Sequence, residues 1–204
     1  MKLNWAERLA VNNPLRPLQQ RLEISWYKRW VPIRMGALIL EIGCGRGAGA
    51  YLIKKTFMPS FIHAMDLDDQ MVRKAEKYLT PVKRKGMAFL VGDVRDLPYP
   101  EETFDAVFGF GVLHHVPDWL GALGEITRVL KTDGFYCFEE LYPSLYQNVI
   151  TRRLLLHPKE NRFKSADWKT GIAASGLVLG TYREIPCLEI IGYATKQKGV
   201  SITK

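Results

Sequence analysis

The stretch LEIGCGRG, residues 40–47, decides the fold of this chain. An apolar run ends here on an acid, Glu41, and three glycines follow at alternate positions: Gly43, Gly45 and Gly47. Glycine lets a backbone turn this tightly and come this close to a ligand. The stretch therefore predicts a strand that runs into a ligand-binding loop. Taken alone, with Ala48 as the last small residue, it also fits a nicotinamide dinucleotide site.

Outward from this loop, short β-branched or aromatic runs alternate with helical patterns. That alternation indicates an α/β fold in which helices cover both faces of a mostly parallel sheet. The predicted strands are residues 37–43, 61–66, 86–92, 104–110 and 134–140, followed by a hairpin of 177–185 and 187–196 that turns at Pro186. Helices are predicted at 49–57, 68–79 and 118–130. Asp68 or Asp69 is expected to cap the second of these helices.

Two segments flank this alternation, and we interpret the whole of 1–204 as one domain. Residues 1–35 predict a helical cap, whose apolar residues repeat at every fourth position: Leu18, Leu22, Trp26 and Trp30. We expect this stripe to pack on the core. Residues 143–165 lack a strand pattern and are interpreted as an insertion that covers the substrate.

The three cysteines have no paired spacing and no nearby histidines, so neither a disulfide framework nor a metal site is expected. Cys44 is interpreted as a small loop residue, and Cys137 and Cys187 as core strand residues. The N-terminus lacks a signal-peptide pattern, and no segment approaches about 20 uncharged apolar residues. We therefore expect a cytoplasmic protein without a transmembrane segment.

Further signals follow the loop in a fixed order. Asp66 ends the second strand, and GDVRDLPYPEETFD (92–105) places Asp93 and Val94 after the third. FGFGVLHHVPDW and EITRVLKTDGFYCFEE complete the series. With these motifs, residues 36–142 resemble the class I S-adenosylmethionine (SAM)-dependent methyltransferases, particularly the type 11 small-molecule group. The resemblance implies a Rossmann-like three-layer sandwich with seven strands, of which one in the C-terminal hairpin is antiparallel.

The resemblance also implies a set of residues that bind SAM. Glu41 would help hold the ammonium end of the cofactor, Asp66 would accept hydrogen bonds from both ribose hydroxyls, and Asp93 would face the adenine amino group. The bidentate role is reasonable because a carboxylate has two oxygens for two adjacent donors. The full implied set is Glu41, Gly43, Cys44, Gly45, Gly47, Asp66, Leu67, Asp93, Val94 and Gly109.

The sequence indicates the catalytic residues less clearly than the cofactor site. Histidine titrates near neutrality, as a general base must, which makes His114 and His115 candidates, and Tyr142 is a third. We interpret the His-His segment as structural, because in-line displacement at a sulfonium carbon depends mainly on alignment. Other residues on the expected acceptor side are Glu139, Glu140 and His157.

The net charge of +8 lies mainly outside residues 36–142. Basic residues such as Arg16, Arg29 and Arg152 accompany tryptophans, which favours a small-molecule or lipid-like acceptor with an anionic part and a peripheral membrane contact. A solvated basic surface is the alternative. Nucleic acid is disfavoured, because the fourth strand runs into Gly-Phe-Gly-Val-Leu-His-His instead of Asn/Asp-Pro-Pro-aromatic.

Two other functions remain open at this point. A non-catalytic SAM-binding protein would carry the same cofactor motifs. An NAD(P)-dependent oxidoreductase would share the glycine loop but has no particular need for Asp93.

Overall fold

Strand β1, Leu38–Ile42, is the third strand across a seven-stranded sheet in the computed structural model, which describes residues 16–146 and 161–198. On one side of it lie β2 and β3, and on the other β4 and β5, all parallel: Phe61–Asp66, Met87–Val91, Phe104–Phe110 and Leu130–Leu141. β7, Glu189–Lys196, pairs antiparallel with β5, and β6, Leu177–Ile185, forms the edge. The predicted α/β fold class is confirmed.

Helices cover both faces of this sheet. In chain order they are α1 to α7: Arg16–Trp30, Ala48–Phe57, Asp69–Tyr78, Pro81–Arg84, Trp119–Val129, Pro143–Tyr146 and Ser165–Ala174. Asp68 caps α3 by accepting a hydrogen bond from the Gln70 backbone N–H at 3.0 Å, as its sequence predicts. The helix predicted at 118–130 ends at Val129, because β5 begins four residues earlier than expected, at Leu130.

Two apolar cores result, one on each face. α1 and α2 contribute Tyr27 and Ile53 to the first, while α5 and α7 contribute Leu123 and Trp168 to the second. The Tyr27 hydroxyl, wholly buried, donates a 2.7 Å hydrogen bond to the Phe138 carbonyl of β5. This bond fixes α1 across the sheet, and such bonds contribute about 1 kcal/mol each.

The apolar stripe of α1 packs on the core only at Trp26, and the prediction is wrong for its other three residues. Leu18, Leu22 and Trp30 are 56%, 68% and 42% exposed, whereas Glu23 and Tyr27 face inward. A repeat of four residues drifts about 40° per step around a helix of 3.6 residues per turn. The stripe therefore turns away from the side of α1 that faces the sheet. The hydrogen bond from the Tyr27 hydroxyl holds that side against β5.

The C-terminal half brings one confirmation and one correction. Pro186 lies in the turn between β6 and β7, as predicted, and Cys137 is fully buried. Cys187 is exposed in that same turn with a φ of +64°, so its interpretation as a core strand residue is wrong. Most of the predicted insertion, including Arg152 and His157, lies outside the described residues.

Candidate active site at the carboxyl ends of the parallel strands

A cavity of about 390 Å³ opens where β1, β2 and β4 end. Its size suits a small-molecule ligand, and the carboxyl ends of parallel strands are where open α/β sheets bind ligands. Six of the ten predicted cofactor residues line it: Gly43, Gly45, Asp66, Leu67, Asp93 and Val94. Four do not: Glu41, Cys44, Gly47 and Gly109.

The glycine loop shapes one wall of the cavity and also the packing behind it. Gly43 has a φ of +63°, and a Cβ there would lie 2.5 Å from a Val112 methyl group. At Gly47, whose φ is +79°, a Cβ would lie 3.0 Å from the Phe89 ring. Gly43 therefore keeps the cavity open, while Gly47 lets the start of α2 approach β3.

Asp66 ties the end of β2 to the glycine loop. Its Oδ2 accepts the Gly45 backbone N–H at 2.8 Å, and its Oδ1 accepts the Asp68 N–H at 2.9 Å. Burial raises the pKa of Asp66, and these two hydrogen bonds oppose that rise. A carboxylate offers about four acceptor sites, so each oxygen retains capacity for a donor from the cavity.

Glu41 lies behind the loop and is 1% exposed. The Ala50 backbone N–H of α2 donates to its carboxylate, and a Cβ at Gly49 would collide with its Oε1. Within the described residues its Oε2 has no hydrogen-bond partner. Burial, together with the nearby charge of Asp66, raises the pKa of Glu41 to about 8 despite the Ala50 bond. An orphaned carboxylate oxygen next to the loop suits a cationic ligand group.

Asp93 carries a partner that its sequence did not predict. Arg95 Nη2 contacts Asp93 Oδ2 at 2.6 Å, and the Arg95 backbone N–H donates to Oδ1 at 2.9 Å. These bonds lower the pKa of Asp93. Both residues line the cavity, so a ligand amino group would share this carboxylate with Arg95.

The His-His segment forms a 3₁₀ turn, Leu113–His115, at the end of β4. His115 lines the cavity, but His114 is buried with its Nδ1 2.7 Å from Glu140 Oε2. Glu140 also accepts the backbone N–H groups of Leu113 and His114, at 2.8 and 3.1 Å. Glu140 therefore holds the turn, and the turn presents His115.

The remaining predicted residues have other surroundings. Tyr142 is outside the cavity lining, and its hydroxyl donates to Glu184 Oε1 at 2.7 Å. Burial raises the pKa of the Cys44 thiol well above its ordinary value, which keeps it protonated and agrees with a small loop residue. A Cβ at Gly109 would lie 3.2 Å from the Ile42 side chain, so this glycine serves packing within β4.

Gly111, two residues beyond Gly109, lines the cavity instead and was not predicted. Its φ of +70° is one that glycine adopts readily. The signal was present in FGFGV, where two glycines alternate and the second follows the end of the strand.

Comparison with known proteins agrees with this geometry. Residues 40–138 match the family model described as a methyltransferase domain. A probable phthiotriol/phenolphthiotriol dimycocerosates methyltransferase 2 of Mycobacterium ulcerans is 28% identical over 90% of this chain and 65% of its own length. A fatty-acid O-methyltransferase of Mycolicibacterium smegmatis is 32% identical over 53% of this chain and 38% of its own length.

A solved structure of a SAM-dependent methyltransferase from Aquifex aeolicus superposes with a TM-score of 0.72 at 18% identity, covering 96% of this chain and 100% of that one. The fold and the glycine loop, together with the family match over residues 40–138, support a class I SAM-dependent methyltransferase domain in this chain. The chain spans 65% and 38% of the lengths of the two mycobacterial relatives. Across residues 16–146 and 161–198, no helix combines the length and apolarity needed to cross a membrane.

Proposed function

We propose that this chain transfers a methyl group from SAM to a lipid-like small-molecule acceptor. The observation that carries the proposal is the cavity in which the glycine loop meets Asp66 and Asp93. The free acceptor capacity of Asp66 and the orphaned oxygen of Glu41 both fit a ligand with hydroxyl donors and a cationic end.

Each part of the cavity has a role in this proposal. Asp66 would hold the ribose hydroxyls, Glu41 the ammonium group, and Asp93 with Val94 the adenine. When bound, SAM supplies a methyl carbon on a positively charged sulfur. The chain's own residues orient the reactants, and such alignment can lower a barrier by roughly 7–11 kcal/mol. We assign His115 a positioning part, since Glu140 and the 3₁₀ turn hold it at the wall.

The acceptor class rests on the relatives and on α1. Both relatives are named for lipid-like substrates, phthiotriol/phenolphthiotriol dimycocerosates and a fatty acid. On α1, the exposed Leu18, Leu22 and Trp30 accompany the exposed Arg21 and Arg29. Apolar and cationic groups on one exposed helix suit a peripheral contact with an anionic bilayer, from which a lipid-like acceptor would be taken.

The cofactor part of the proposal is tested by calorimetric titration of SAM and, separately, of NAD⁺. We expect SAM to bind and NAD⁺ to give no heat. The opposite result would contradict the proposal in favour of an oxidoreductase. Labelled methyl transfer to a panel of alcohols and fatty acids then separates an enzyme from a protein that only binds SAM.

A further inference from the structure

A second cavity, of about 580 Å³, lies between α1 and the strands β6 and β7. Its size is in the range of small-molecule sites. One part of its wall is apolar and includes Leu22, Trp26 and Ile191. The other part is polar and includes the acids Glu23, Glu139 and Glu189 and the cation Arg183. No role in cofactor binding accounts for these acids.

The two cavities adjoin at Gly111. This glycine lines the first cavity, and its backbone N–H donates to the Glu139 carbonyl at 2.7 Å. A Cβ at Gly111 would lie 3.3 Å from Glu139 Oε2, and Glu139 lines the second cavity. The Glu139 carboxylate and the Arg16 guanidinium paired with it lie against Gly111, so they and this glycine form the wall between the two cavities.

Two of the acids in the wall already have cationic partners. Arg16 Nη2 contacts Glu139 Oε2 at 2.8 Å, and Lys169 Nζ contacts Glu184 Oε2 at 2.7 Å. Arg16 is therefore not available for an anionic acceptor, contrary to the expectation from sequence. The wall offers many hydrogen-bond acceptors without a large net negative charge.

Glu23 differs from these acids. It is 6% exposed, and neither of its carboxylate oxygens has a hydrogen-bond partner among the described residues. The nearest cationic atom, Arg16 Nη1, is 3.5 Å from Oε1. Burial and the charge of Glu139 raise the pKa of Glu23 to about 7, although the charge of Arg16 opposes this. A buried acceptor without a donor is unfavourable unless a ligand supplies the donor.

We propose that the second cavity binds the acceptor as a neutral, hydroxyl-bearing apolar molecule, whose hydroxyl donates a hydrogen bond to Glu23. The apolar wall would hold its hydrocarbon part, and Glu23, when ionised, would repel a carboxylate placed beside it. An ammonium group is disfavoured because Arg16 and Lys169 already neutralise neighbouring acids. This inference rests on the proposed function and makes Glu23 a residue that selects alcohols over acids.

The test measures direct binding of 1-decanol, decanoate and decylamine at pH 8, followed by tryptophan fluorescence and calorimetry. Wild-type protein should bind decanol about tenfold or more tightly than decanoate, the size expected for a hydrogen bond to a charged group. Glu23→Leu should abolish that preference, and Glu23→Gln should raise decanoate affinity while retaining decanol binding. The matched control is Glu76→Gln on the exposed side of α3, which should change nothing.

SAM titration of the same variants distinguishes this inference from the proposed function. Unchanged SAM affinity in both Glu23 variants, with lost decanol preference in Glu23→Leu, supports the inference. Failure of SAM to bind wild type would contradict the proposed function. The decanol result would still show whether the second cavity binds an alcohol. Tightest binding of decanoate or decylamine, or no binding of any probe with SAM binding intact, would overturn the inference.

Discussion

The two cavities on either side of Gly111 are built in different ways. The first cavity, which we propose binds SAM, is built from the turn at Gly43 and the acids Asp66 and Asp93. These residues lie at the ends of β1, β2 and β3 in turn. The second cavity uses side chains from α1, β5 and β7, which lie far apart along the chain. The first is thus a property of local motifs, and the second a property of tertiary packing. Substitutions should separate the two.

The largest expected effect is at the glycine loop. Gly43→Val places a branched side chain at a positive φ and against Val112, within the cofactor cavity. We expect SAM affinity to fall more than about 100-fold, because both backbone strain and lost space oppose binding. The matched control is Gly124→Ala in α5, where a Cβ meets nothing within 4 Å. Equal SAM affinities of the two variants in calorimetry would contradict this account of the loop.

The next effect concerns Asp66. Asp66→Ala should weaken SAM binding by about 1.5–3 kcal/mol, the usual loss for a hydrogen bond to a charged group. Glu76→Ala removes an exposed acid from α3 and serves as the control. Thermal unfolding of both variants checks that the fold is retained. A SAM affinity of Asp66→Ala within twofold of the control would remove the ribose assignment.

Glu41 gives a pH-dependent prediction. Its pKa of about 8 means that the free protein holds the carboxyl mostly protonated at pH 7, so binding of a cationic group should release a proton. SAM affinity should rise between pH 6 and pH 7 by up to about tenfold, and calorimetry in buffers of different ionisation enthalpy should detect the proton. Glu41→Gln should flatten this dependence. A pH-independent affinity in the wild type would exclude the role.

Glu41 also affects the stability of the fold, and here a higher pH is unfavourable. Because the pKa of Glu41 is raised above its ordinary 4.5, its ionisation adds no penalty below that pH and destabilises the fold increasingly as pH rises to about 8. Glu41→Gln should therefore raise the unfolding temperature more at pH 8 than at pH 5. Equal gains at the two pH values would show that the carboxyl ionises normally.

A smaller effect is expected on the exposed side of α1. Replacing Arg21 and Arg29 by alanine should weaken binding to anionic phosphatidylserine vesicles by about 1 kcal/mol per residue at low salt. Lys74→Ala with Lys77→Ala removes two exposed charges from α3 as the control. If wild type and both double variants sediment equally with the vesicles, the basic residues of α1 serve solubility only.

The smallest expected effect is at the His-His turn. His115→Ala should leave SAM affinity unchanged and lower turnover on an identified acceptor by less than about 100-fold, because the residue positions and does not transfer a proton. A larger loss of turnover, with fold and SAM affinity intact, would make His115 a general base.

Much of the fold was predictable because its signals are local. Hydrophobic runs and glycines located the strands β1 to β5 along the chain, and Asp68 marked a helix start, since each signal depends on neighbours in sequence. Six residues that line the first cavity were among those that the family resemblance implied. Glu41 was identified as a site residue, yet its position behind the cavity wall depends on α2 packing over it.

The second cavity was not predictable in this way. Glu23 appears in the sequence as one polar residue among many in α1, and only the packing of Tyr27 on β5 turns it inward. Arg16 was expected to face an anionic acceptor, but it forms an ion pair with Glu139, 123 positions away in the sequence. Contacts between distant segments decide both outcomes, and periodicity carries no information about them.

The most direct test of this difference is a parallel titration of SAM into Asp66→Ala and Glu23→Leu. Asp66 lines the first cavity and Glu23 the second one, and each variant removes one carboxyl group. We predict that Asp66→Ala loses at least about tenfold in SAM affinity while Glu23→Leu stays within twofold of wild type. Equal affinities, or a larger loss in Glu23→Leu, would contradict the assignment of cofactor and acceptor to separate cavities.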